Sequence, residues 1–165
     1  MAKQASKRKK VLAVASLGGH WVQLLRICHA LSDAYDIEYV CTDGGAAAMT
    51  GGAPLHVVRD FSRWDAYRLP GEFMTLRRII RRVHPDAVIT TGAAPGLVAV
   101  AVARLEGIRT LWIDSIANSA ALSGSGRIAA RIADSTFTQW PALATDKVKY
   151  YGNIFGEIRG REELK

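Results

Sequence analysis

Apolar residues gather in short runs at positions 11–16, 37–42, 56–59, 87–91, 110–114 and 135–140. Most of these runs are continuous rather than alternating, which is how strands buried on both faces read. Between them, apolar residues recur at helical spacing over 21–34, 71–83, 95–106 and 127–133. The order βα, β, βα, βα, βα, β predicts an α/β fold with one Rossmann-like parallel sheet and right-handed crossovers.

Two segments refine this picture. The stretch DGGAAAMTGGAP at 43–54 is rich in small residues and fits either a short helix between glycine hinges or a loop. In the helix EFMTLRRIIRRV, Phe73, Leu76, Ile79, Ile80 and Val83 share one face and Arg77, Arg78, Arg81 and Arg82 the other. That basic face suits solvent, a membrane surface or a partner.

At 165 residues, with 49% of them hydrophobic, the chain suffices for one domain with a real core. The net charge is +7, but five positive charges fall within the first ten residues (Lys3, Lys7, Arg8, Lys9 and Lys10). A basic flexible tail at 1–10, a Rossmann-like domain at 11–156 and a charged C-terminal tail at 157–165 are expected. The longest apolar run, GLVAVAVA at 96–103, is far below the roughly 20 residues of a membrane span. Cys28 and Cys41 lack CxxC spacing, so buried free thiols are expected and no metal site.

In a doubly wound sheet, ligands bind beyond the carboxyl ends of the strands, where the strand order reverses. The runs at 11–16 and 87–91 should flank that crevice, and each leads through small residues into a helix: SLGGH after one, TTGAAP after the other. Uncapped N–H groups and the positive end of a helix dipole attract anions such as phosphate. Gly18 and Gly19 fit neither the GxGxxG nor the GxxxxGK[ST] pattern. His20, in the first helical turn, has an imidazole suited to binding a phosphate or taking a proton. Asp114 and Ser115, with Ser123 and Gly124 beyond them, belong to the same edge. There Asp114 is a candidate base or, alternatively, a turn cap. Gln139 offers hydrogen bonds on two sides, and Trp140 is an apolar plate suited to a helix or a partner subunit.

The segments SLGGHWVQLL, the run from VITTGAAPG through LSGSGR to TQWPAL, and VKYYGNIFG occur in order along most of 11–156. They resemble the PssD-like family of polysaccharide-biosynthesis glycosyltransferase subunits, which includes the membrane-anchoring subunit of the dolichol-pathway N-acetylglucosaminyltransferase. The resemblance implies a single GT-B amino-terminal-type domain. It would act as the acceptor-binding and scaffolding subunit of a two-component, inverting glycosyltransferase in exopolysaccharide or oligosaccharide assembly. A separate donor-binding subunit would hold the UDP-sugar, and the acceptor would be a lipid-linked diphosphate. It further implies His20, or less favourably Asp114, as catalytic base. Gly18, Gly19, Thr91, Gly92, Ser115, Ser123 and Gly124 would lie around the acceptor diphosphate, with Gln139 and Trp140 at the partner interface. No further cofactor is implied, and the location implied is cytoplasmic, with peripheral contact at the inner face of the plasma membrane. Family members often carry Glu-Ser where this chain has Asp114-Ser115, and commonly begin with a hydrophobic anchor where it begins MAKQASKRKK.

Two other readings compete. A nucleotide- or phosphosugar-binding module without transferase activity would use the same glycine loops. A nucleic-acid binder would use the basic start, but the sequence has no recognisable recognition helix or aromatic stacking platform, so nucleic acid is not an expected partner.

Overall fold

The computed structural model describes residues 8–61 and 67–156. Its strands are β1 (Lys9–Val14), β2 (Tyr35–Cys41), β3 (Leu55–Val57), β4 (Ala87–Thr90), β5 (Arg109–Ile113), β6 (Ser135–Thr138) and β7 (Val148–Tyr150). Four α-helices join them: α1 (Gly19–Leu31), α2 (Leu69–Val83), α3 (Ala93–Leu105) and α4 (Gly124–Ile132). Among the described residues all seven strands pair in parallel, in the order β3-β2-β1-β4-β5-β6-β7. The order reverses between β1 and β4, so the two strands expected to flank the crevice are neighbours.

Alternation along the strands divides the core. Val11 and Ala13 of β1 pack with Trp21, Leu24 and Cys28 of α1, whereas Leu12 and Val14 pack with Leu76 and Ile80 of α2 and Val102 of α3. A smaller cluster of Val100, Trp112 and Ala129 seats α4. With helices on both faces, the strands are apolar on both, and the continuous runs follow from that. Gly96 lets α3 lie directly on β4, since a Cβ there would fall 2.1 Å from Thr90 Oγ1.

One expected boundary needs correction, and two other segments gain detail. The basic tail does not extend to residue 10: Lys9 and Lys10 open β1, where the Lys10 amide donates to Asp86 and its ammonium pairs with Glu38. The β7 strand was not anticipated; it pairs with β6 at the sheet edge. The 43–54 connection contains a 3-10 helix, Gly44–Met49, whose first turn is capped by the Asp43 carboxylate accepting from the Gly45 amide. Residues 1–7 and the tail expected at 157–165 lie outside the described residues.

The apolar face of α2 is buried as expected, but its basic face is partly spent within the fold. Arg77 and Arg81 both pair with Glu106, and Arg82 donates to His56 Nδ1. These hydrogen bonds, first from Arg77 and then from Arg81, hold the Glu106 carboxyl below its ordinary range. Its ionised form therefore favours the fold at pH values above about 4.3, the value in an unfolded chain, and that contribution disappears as the pH falls through the lowered folded value. Glu106→Gln should lower the thermal midpoint slightly at neutral pH and leave it unchanged in strong acid. An equal drop at both, in a thermal-unfolding series across pH, would assign the effect to packing instead.

Both cysteines are free and buried. Burial pushes the Cys28 thiol up to about 12 despite its hydrogen bond with Tyr39, and it raises Cys41 as well. Neither is a thiolate near neutral pH, so neither is suited to act as a nucleophile.

Candidate functional site

The loops after β1, β4 and β5 and the start of α4 open onto one cleft of about 800 Å³. Its lining combines apolar side chains, Phe61, Leu69, Leu97, Val98 and Ile128, with the polar Ser115, Asn118, Ser123 and Ser125, and His20 lines it as well.

His20 is held from the neighbouring strand. Its Nδ1 lies 2.8 Å from the Thr91 carbonyl, and Thr91 Oγ1 donates to the His20 carbonyl at 2.6 Å. A carbonyl oxygen only accepts, so Nδ1 is the donor, and the tautomer this contact selects is the one whose lone pair is on Nε2. Gly92 lies against the ring: its φ is 130°, and a Cβ there would sit 2.7 Å from His20 Cε1. The next residue, Ala93, is also in the left-handed region (φ 64°) and lines the cleft. An L-residue held there costs about 1–3 kcal/mol, a strain common at ligand sites.

The helices α1 and α3 begin at Gly18 and Gly92 with no side-chain cap and no acidic residue in the first turn. Their first amides are left to solvent or a ligand, at the end where the dipole is positive. Gly18 and Gly19 are exposed at this edge, and Thr91 is buried behind His20, so it orients the ring rather than meeting a ligand.

Asp114, expected as the less favoured base or as a turn cap, has the geometry of a cap. It is 1% exposed, and four donors surround its carboxylate: Trp112 Nε1 and Ser123 Oγ on Oδ1, Asn118 Nδ2 and the Ser123 amide on Oδ2. Its lone pairs are committed to clamping the loop, the capping alternative in extended form. Ser123 is similarly occupied, donating to Asp114 while its Oγ accepts from the Gly126 amide to cap α4. Ser115 reaches the cleft wall, with its Oγ accepting from Gln23 Nε2 and the Ala117 amide. Gly124 lies exposed beside it at the start of α4.

Gln139, expected at a partner interface, has its side chain engaged within the chain. It is 3% exposed and bonded on both ends within the chain: Nε2 donates to Gln23 Oε1 and the Asp114 carbonyl, and Oε1 accepts from the Ile154 amide. Trp140 is 37% exposed, and its indole donates to the Ile116 carbonyl at 2.7 Å. Gln23 was not anticipated. The available signal was one amide within the apolar WVQLL turn of α1, a buried polar group that needs partners.

Known proteins resemble this chain in sequence and in fold. The human protein "UDP-N-acetylglucosamine transferase subunit ALG14" is 28% identical over 176 aligned positions, covering 88% of this chain and 80% of the relative. The same-named protein of Eremothecium gossypii is 32% identical over 127 positions, covering 70% of this chain and 52% of the relative. Among solved structures, Acinetobacter baumannii MurG superposes with a TM-score of 0.75 at 17% identity, over 88% of this chain and 46% of that one. A UDP-N-acetylglucosamine 2-epimerase from Rickettsia bellii reaches 0.69 at 13% identity, over 90% and 46%. The chain thus spans about half the length of the solved structures it matches, and it has the Rossmann-like fold of a GT-B half. Residues 17–113, from the loop carrying His20 through the end of β5, match the family described as Glycosyltransferase Family 4, and the chain belongs to that family.

Proposed function

We propose that this chain is the acceptor-binding and scaffolding subunit of a two-component glycosyltransferase, which moves a sugar from a UDP-sugar to a lipid-linked diphosphate acceptor. The observation that carries this reading is His20, clamped through Nδ1 to the Thr91 carbonyl so that Nε2 is left for a ligand, on a cleft between two uncapped helix starts. Relatives named as subunits of a UDP-N-acetylglucosamine transferase support it.

In the proposed reaction an acceptor hydroxyl attacks the anomeric carbon of the UDP-sugar. The new C–O bond forms as the bond to the UDP oxygen breaks, UDP leaves as the anion, and the hydroxyl proton passes to His20 Nε2. The amides at the starts of α1 and α3 would hold the acceptor diphosphate. The polar residues of the lining would suit the head of an amphipathic acceptor, and the apolar residues the beginning of its lipid.

The donor would be held by a separate subunit. Near β7, Trp140, Tyr151 and Phe155 are 37%, 82% and 66% exposed, and Arg26 lies 5.1 Å from the Phe155 ring centroid. Aromatic and arginine side chains are enriched where subunits meet. The membrane contact in this proposal is peripheral; no helix among the described residues is long and apolar enough to cross a membrane.

The test compares sugar transfer from a panel of UDP-sugars to a lipid-linked extract, using this chain alone, a candidate donor-binding subunit alone and the two mixed. Transfer by the mixture only is the expected result; efficient transfer by this chain alone would overturn the divided arrangement.

A further inference from the structure

A buried polar relay runs beneath the cleft. Gln23, one helical turn beyond His20, donates through Nε2 to Ser115 Oγ at 3.0 Å, and its Oε1 accepts from the Ile116 amide at 3.1 Å. The same Oε1 accepts from Gln139 Nε2 at 2.7 Å. Gln139 Nε2 also donates to the Asp114 carbonyl at 2.9 Å, while Gln139 Oε1 accepts from the Ile154 amide at 3.1 Å. On the other side of the loop, Trp140 Nε1 donates to the Ile116 carbonyl. The amide and carbonyl of Ile116 are therefore pinned from opposite sides.

This loop carries Ser115, Ala117 and Asn118 into the cleft and leads to Ser123 at the start of α4. Apart from these bonds it is held by turn contacts and by the Asp114 clamp. Gln23 and Gln139 are 5% and 3% exposed, so the relay touches no substrate and acts only through what it holds. Its outer end is the backbone of Ile154, in the segment that bears the exposed Phe155.

We infer that Gln23 and Gln139 are positioning residues for the acceptor: they tie the 115–118 wall of the cleft to the His20 helix on one side and to the Ile154 segment on the other. The inference rests on the acceptor-binding reading. Fixing this wall before the acceptor arrives reduces the ordering cost of binding. The relay's loss should therefore change the acceptor KM far more than kcat or the donor KM.

The experiment measures steady-state transfer by the assembled two-subunit enzyme carrying Gln139→Leu, Gln23→Leu or Gln23→Glu, with acceptor and UDP-sugar varied separately. Each leucine variant should raise the acceptor KM roughly tenfold while the donor KM and kcat stay within about threefold. Gln23→Glu should keep a low acceptor KM, because its carboxyl accepts from Ile116 and Gln139 and exchanges a hydrogen bond with the Ser115 hydroxyl. A purely structural role would instead reduce the amount of folded enzyme, and with it the maximal rate, at unchanged acceptor KM. Should the leucine variants fail to fold, Trp140→Phe decides. It removes the indole donor to Ile116, and because Trp140 also belongs to the surface proposed for the donor-binding subunit, transfer is measured at saturating partner, where the acceptor KM must still rise and the donor KM must not. An unchanged acceptor KM in every folded variant, or an equal rise in both KM values, overturns the inference. Absence of transfer by the wild-type pair overturns the acceptor reading beneath it.

Discussion

His20→Ala in the assembled enzyme should lower kcat by roughly 10²–10⁴-fold, the range that general-base catalysis contributes. The ring is half-buried and its hydrogen bond among the described residues goes to a backbone carbonyl, so the loss should appear in the chemistry and not in the yield of folded protein. Its removal leaves the Thr91 carbonyl at the cleft edge, where water can satisfy it. His20→Gln separates proton transfer from shape, because its amide can still donate to Thr91 but takes up no proton. The two variants should therefore be similarly slow. Transfer near the wild-type rate by either, with an unchanged melting temperature, would remove His20 from the base role.

Asp114→Ala is expected to destabilise the fold by about 3 kcal/mol, because buried donors that now share one carboxylate lose their acceptor. For a chain of this size that corresponds to a fall of roughly 10 °C in the thermal midpoint. The Trp112 indole and the Ser123 amide carry most of the penalty, since both sit inside the loop clamp. Asp114→Asn preserves the shape but turns an NH2 group toward at least one donor, and it should cost less than alanine. Both are measured by urea or thermal unfolding of this chain. A cost below about 0.5 kcal/mol for alanine would mean that water replaces the carboxylate and that the clamp is not a structural centre.

The central strands were legible because burial on both faces demands unbroken apolar runs, which Val11–Val14 and Val88–Ile89 display. Helix starts were placed about two residues late, because Gly19 and Ala93 carry no apolar signal although both already have helical bonding. The β7 strand has three residues, one of them an exposed lysine, so no periodicity could mark it. His20 and the glycine turns were readable from their place between a strand and a helix. The roles of Asp114 and Gln139 were not: Gln23 finds its partners 92 and 116 residues away, and no local pattern announces that the three meet. Sequence reading showed which side chains could do polar work but not which were already occupied.

The strand order also bears on how the chain is made. The β1 strand lies inside the sheet, yet one of its two neighbours, β4, follows much later in the sequence, with Val11 pairing with Ala87. At a synthesis rate of roughly 5–20 residues per second, the nascent chain holds the VLAV edge unpaired for on the order of ten seconds. Such an apolar edge is a template for pairing with another chain. Crowded ribosomes on one message, or slow codons between α2 and β4, would lengthen that interval. A chaperone that shields the first βα unit would have its effect there, before the cleft exists.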